Sequence, residues 1–258
     1  MRIFSTLYFT VLALICSGQT AEELNNRSLD FLAKDDVKNA LPLIKQAAEM
    51  GHPKAQYNYG YFYQQGIELE KNDSIANYWL LKSAEQGFID AQFKIAYSFA
   101  VGRGIAKDEK QAFYWTRKCA EQNDPECISN LVGCFSNGVG TEMNSDSVYV
   151  WTVRAASLPD VENLQMSGII TNARISLAVK FKTGSYLPKD NEKAYMWYLI
   201  YNESKRDFSI LDQLSNIEKI KELEKEISPS DKNNAKRDAE NQINRPLKNL
   251  DKLYVQEF

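Results

Sequence analysis

Residues 91–122 read AQFKIAYSFAVGRGIAKDEKQAFYWTRKCAEQ, and this stretch decides the fold. Its apolar positions Ala91, Ile95 and Phe99, then Ala112, Trp115 and Cys119, recur every three or four residues, which gives each half one helical stripe. Gly102 and Gly104 fall where the first helix must stop, and Asp108 supplies an N-cap for the second. The stretch predicts a helical hairpin.

The hairpin recurs along the chain. Trp79, Trp115 and Trp151 are spaced by 36 residues, and Trp197 follows 46 after Trp151. The same increments carry Ala55 to Ala91, Cys127 and Ala173, and Ala76 to Ala112, Val148 and Ala194. They also carry Tyr63 to Phe99, Phe135 and Phe181, and the turn glycine Gly66 to Gly102, Gly138 and Gly184. A second turn glycine stands at Gly104 and Gly140. The longer last interval predicts an insertion around residues 161–168. Shared spacing in independent columns marks stacked repeats that bury one another's flanks. The tryptophans are therefore expected between helices, as core, and small residues such as Ala84, Ala120 and Ala156 let helices approach closely.

The pattern of these units, with its paired turn glycines, Lys-Asp before the second helix and alanine three before the tryptophan, resembles the Sel1-like repeat, a relative of the tetratricopeptide repeat. The best copy runs from Ala91 to Asn123. Other copies depart from it, with Glu68 and Tyr186 at the second glycine and Met143-Asn144 in place of Lys-Asp. Upstream, Leu43 occupies the tryptophan column. The resemblance implies an all-α fold, an α/α superhelical solenoid of about five helix-pair repeats over residues 22–203. Beyond it, Ile210, Leu214, Ile217, Ile220, Leu223 and Ile227 keep helical spacing. Ser228-Pro229-Ser230-Asp231 reads as a capping box that starts a helix to about Ile243. Residues 204–258 are accordingly expected to cap the stack.

At the N-terminus, Arg2 and the apolar run Ile3 to Cys16 precede small and polar residues, the pattern of a signal peptide over residues 1–20. Cleavage is expected after Gly18 or Ala21, and lipidation of Cys16 is the competing reading, disfavoured by bulky Ile15. No later segment is apolar for long enough to span a membrane. The mature chain is expected in the periplasm or the secreted space.

Loss of Cys16 leaves Cys119, Cys127 and Cys134, so at most one internal disulfide forms. Cys119 and Cys127 flank the turn EQNDPE and can meet across the hairpin, or stay as two buried thiols. Their spacing is similar to that of the disulfides in cysteine-rich Sel1-like proteins of Helicobacter, and this resemblance favours the bridge.

Composition narrows the function. A net charge of -3 supplies no footprint for nucleic acid, and a single histidine, His52, rules out multi-histidine metal sites. His52 lies in the turn MGHPKA, where a capping or solvated role is expected. The glycine pairs follow helices and lack a Walker lysine, so they read as turns, not phosphate loops. Some Helicobacter relatives interact with β-lactams, and a β-lactamase-like hydrolase is the alternative function, but no serine here has a lysine three residues on. The expectation is a non-catalytic monomer, without metal or cofactor, that binds another protein through its concave groove as an adaptor or immunity protein. In YNYGYFY, residues 57–63, Tyr61 and Phe62 are the candidate contacts.

Overall fold

The computed structural model describes residues 19–203 and 210–250, and the side chains of 210–214 lie outside that set. Residues 1–18, with Cys16 and most of the expected signal peptide, and the last eight residues also fall outside it. The described residues form helices and no strand. In chain order these are α1 (Ala21–Leu32), α2 (Val37–Glu49), α3 (Pro53–Gln65), α4 (Asp73–Glu85), α5 (Ile89–Val101), α6 (Glu109–Glu121), α7 (Pro125–Asn137), α8 (Ser145–Ala156), α9 (Leu164–Thr183), α10 (Asn191–Glu203), α11 (Ile210–Glu226) and α12 (Pro229–Ile243). The fold is all-α, and α1 with α2, α3 with α4, α7 with α8, and α9 with α10 pair as hairpins. None of the described helices is long and apolar enough to cross a membrane.

Short polar side chains fix the starts. Asn72 accepts from the Ser74 and Ile75 amides, Asp108 from Lys110 and Gln111, and Asp124 from Cys127. Thr20 with Glu23 and Ser228 with Asp231 form reciprocal capping boxes, the second preceding Pro229 at the first helical position. The insertion lengthens a helix rather than a loop alone: α9 has 20 residues where α3, α5 and α7 each have 13.

Contacts divide the chain into two compact units, Met1–Lys118 and Cys119–Phe258. Within the first, α1 packs on α2, α2 on α3, α3 on α4 and α4 on α5. Each helix thus leans on its neighbours in the chain, the contact pattern of a stacked repeat. Ala48, Ala55, Ala76, Ala84 and Ala91 are at most 1% exposed, which lets the helices close on one another. Ile44, Leu80 and Ile95, all at 0% exposure, fill the gaps between them, each contributing about 1.5 to 3 kcal/mol by burial.

In the second unit α7 packs on α8, α8 on α9 and α9 on α10, while α10 also meets α11 and α12. One core joins these elements: Leu177, Phe181, Trp197 and Tyr198 pack in the same cluster as Ile220, Leu223, Ala235 and Ala239. The described C-terminal helices therefore bury their apolar stripes on α10 and its neighbours.

Candidate functional site

Helix junctions are tied at one position in the repeat, the residue after the column Ala55, Ala91, Cys127 and Ala173. Gln56 Nε2 donates to the Ala48 carbonyl at 3.2 Å, and Gln92 Nε2 to the Ala84 carbonyl at 3.1 Å. Arg174 does the same in the second unit, with Nε 2.8 Å from the Ala156 carbonyl. Its Nη2 donates to the Leu158 carbonyl at 2.7 Å and its Nη1 pairs with Asp160 at 2.6 Å, although the side chain is only 2% exposed. Each tie brings a side-chain donor to a carbonyl in the last turn of the preceding helix; the Ala48 and Ala84 carbonyls also accept from the Gly51 and Gly87 amides.

The remaining member of that position is Ile128, which has no polar group. There the turn is held covalently, by a disulfide between Cys119 and Cys127 with Cα atoms 5.6 Å apart. Asp124 lies close enough to both sulfurs to complete a three-ligand cluster, but sulfurs joined to each other offer no thiolate to a metal. Cys134 is free and half-buried, and burial pushes its thiol pKa up, which keeps it protonated and unreactive. Closing so short a loop contributes about 2 to 3 kcal/mol. Dithiothreitol is expected to lower the melting temperature by several degrees, and an unchanged melt would show that the bridge does not stabilise this turn.

His52 occupies the N-cap of α3. Its Nδ1 accepts from the Ala55 amide at 3.2 Å and its Nε2 lies 2.8 Å from Glu22 Oε2. Accepting at Nδ1 leaves the ring proton on Nε2, directed at the carboxylate. Hydrogen bonds from His52 and then Asn26 hold the Glu22 carboxyl below the usual range.

The turn glycines are backbone devices. Gly66, Gly102, Gly138 and Gly184 all end helices in the left-handed region, at φ between 68° and 75°. Gly140, at φ 70°, shares that region, and Gly104, at φ 65°, carries a second constraint: a Cβ there would lie 2.4 Å from the Asp73 carbonyl carbon. The loop lies flat on the start of α4. Three bonds pin it: Ser74 Oγ to the Gly104 carbonyl at 3.0 Å, Asn77 Nδ2 to the Arg103 carbonyl at 2.6 Å, and Arg103 Nε to Asp73 at 2.9 Å.

The tryptophan column is uneven. Trp115 and Trp197 are buried at 7% and 2% exposure, while Trp79 and Trp151 are half-buried. Trp79 meets the Tyr59 ring edge-on, and the Arg154 guanidinium lies over Trp151, 4.8 Å from its centroid. Phe62 packs inside the first core at 5% exposure, so it has no face to offer a partner. Tyr61 keeps one, half-buried beside Tyr57 and under the Lys94 ammonium. Tyr97, 36 residues on and more than half exposed, was not picked out by the sequence reading, although it shares the Tyr61 column.

A cavity of about 480 Å³ opens in the second unit, between the end of α7, the first half of α8, the C-terminal part of α9 and the loop before α10. Phe135, Val148, Tyr149, Leu177 and Leu187 supply apolar lining, and Lys180 brings a cation to it. Met143 and Tyr186, both largely exposed, also line it.

The Sel1 repeat family model matches residues 53–88, 89–124 and 173–200. Three segments of the chain thus resemble Sel1 repeats. Among solved structures it is similar to a Sel1 repeat protein from Oxalobacter formigenes, at 28% identity and a TM-score of 0.61 over 75% of each chain. It is also similar to a protective antigen of uropathogenic Escherichia coli strains that displays an SLR fold, at 21% identity and a TM-score of 0.41, covering 92% of this chain and 57% of that one. No curated protein matches the chain.

Residues 125–172, between the matched Sel1 repeats, include the helices on one side of the cavity. Four departures from the repeat pattern line the cavity: Met143 replaces the lysine of the turn, Asn144 the aspartate, Val148 the small alanine, and Tyr186 the second glycine. Tyr186 holds a left-handed backbone at φ 64° all the same. A bulky aromatic in that conformation is costly, and such strain is found where function holds it in place.

Proposed function

We propose that the chain is a non-catalytic scaffold of the periplasm or secreted space, where it binds another protein as an adaptor or immunity protein through the face formed by the first helices of its repeats. One observation carries this reading: in the first unit those helices, α3 and α5, present aromatic rings and a lysine in register. Tyr57 stacks on Tyr61, Lys94 lies 5.5 Å from the Tyr61 centroid, and Tyr97 is 54% exposed. Rigid aromatics beside a cation suit recognition of an apolar and acidic segment. Sel1 repeats serve generally as scaffolds for protein contacts, which agrees with this use of the face. The bridged pair Cys119 and Cys127 is compatible with an oxidising compartment.

Binding partners drawn from the native host by the full chain give the test. Tyr97→Asp is expected to weaken capture at least about tenfold, the loss of one aromatic anchor, while leaving the melting temperature unchanged because the side chain is exposed. Capture that survives both Tyr97→Asp and Tyr61→Ala would remove this face from the proposal.

A further inference from the structure

The geometry points to the cavity of the second unit as a binding site for a small amphiphilic carboxylate, an apolar body of phenyl or branched-alkyl size carrying one anionic group. The reasoning starts from how the equivalent junction is closed in the first unit. There Gly104 sits on the Asp73 backbone with no space for even a methyl group, and Ser74, Asn77 and Arg103 pin the loop down.

In the second unit every one of those features has been replaced. The repeat increments place Tyr186 where Gly104 stands, Ser145 where Asp73 stands, Asp146 for Ser74, Tyr149 for Asn77 and Ser185 for Arg103. The guanidinium to carboxylate pair is gone, and so is the amide that held the loop carbonyl. A tyrosine cannot occupy a place too small for a Cβ, so the loop stands away from α8 and the junction stays open as a cavity. Its 480 Å³ falls within the range of small-molecule sites.

The lining defines what fits. Phe135, Val148, Tyr149, Leu177 and Leu187 favour an apolar body. Two polar groups at the edge are committed: Thr152 Oγ1 donates to the Val148 carbonyl and Asn144 Oδ1 caps the Ser147 amide. Lys180 is not. It is partly buried, and no carboxylate among the described residues pairs with its ammonium. A cation at the edge of an apolar cavity selects one negative charge on the ligand.

The full chain titrated with 4-phenylbutyrate, and separately with its neutral amide, tests the site. Calorimetry and amide chemical shifts are expected to show saturable binding of the acid, localised to α7, α8 and α9, with the amide about tenfold weaker. Lys180→Gln should remove the difference between acid and amide. Tyr186→Gly restores the residue that closes the junction in the first unit, so it should abolish binding without lowering the melting temperature, since glycine also relieves the left-handed strain. No binding of the acid to the natural chain, equal affinities for acid and amide, or undiminished binding by Tyr186→Gly would each overturn the assignment.

Discussion

Replacing Arg174 by alanine is expected to destabilise the chain by about 4 kcal/mol, since it removes one partner of a buried charged network. The guanidinium is 2% exposed and meets two carbonyls, those of Ala156 and Leu158, together with the Asp160 carboxylate. Truncation leaves those carbonyls without their donor and adds a cavity in place of the side chain. Asp160 retains a weaker contact with Arg245, at 3.4 Å. Arg174→Gln makes the comparison informative. Gln56 and Gln92 reach the equivalent carbonyls from the same repeat position, so glutamine can keep the Ala156 bond and should cost about half as much. Urea denaturation of the two variants measures the order. An Arg174→Ala chain within about 1 kcal/mol of the natural one would mean that the network does not hold the junction.

Gly104→Ala is expected to cost about 3 kcal/mol, from two separate penalties. The residue holds φ 65°, where an L side chain costs roughly 1 to 2 kcal/mol, and the added methyl would meet the backbone of Asp73 at 2.4 to 2.6 Å. Backbone cannot step aside as a flexible side chain can. Gly66→Ala isolates the first penalty: its φ is 74° but the nearest atom to a new Cβ, on Lys71, is at an ordinary 3.4 Å. It should cost about half as much as Gly104→Ala in the same thermal or urea titration. Equal costs at the two positions would show that the close approach of the loop to α4 carries no energy.

The all-α stack was legible because its signals are local and repeated. Helix stops need a left-handed residue, helix starts need a short acceptor, and both recur every 36 residues at Gly66, Gly102 and Gly138 and at Asn72, Asp108 and Asn144. The helix from Pro229 could be read from its capping box alone. Less visible was the position that ties the junctions. Gln56, Gln92 and Arg174 look like ordinary solvated polar residues, and only the neighbouring column of small residues places them over a helix end. Searching for a column that is polar in most units and apolar beside the cysteine pair, at Ile128, would have found it.

The cavity was harder still. Tyr186 and Met143 were visible as departures from the repeat, but a departure says only that a contact has changed. Whether the junction collapses or stays open depends on a distance of closest approach, set at Gly104 by the Asp73 backbone, which periodicity does not encode. Uneven burial along the tryptophan column has the same origin: spacing assigns the face, and the neighbouring side chains decide how much of each ring they cover.

The central claim is that the repeated columns exist because neighbouring helices bury them. The four indole N–H resonances of the intact chain, measured with a soluble paramagnetic chelate, test it most directly. Trp115, whose Nε1 is buried, and Trp197 should be broadened least, and the half-buried Trp79 and Trp151 more. Four indoles broadened equally, to the extent seen in denaturant, would contradict the account.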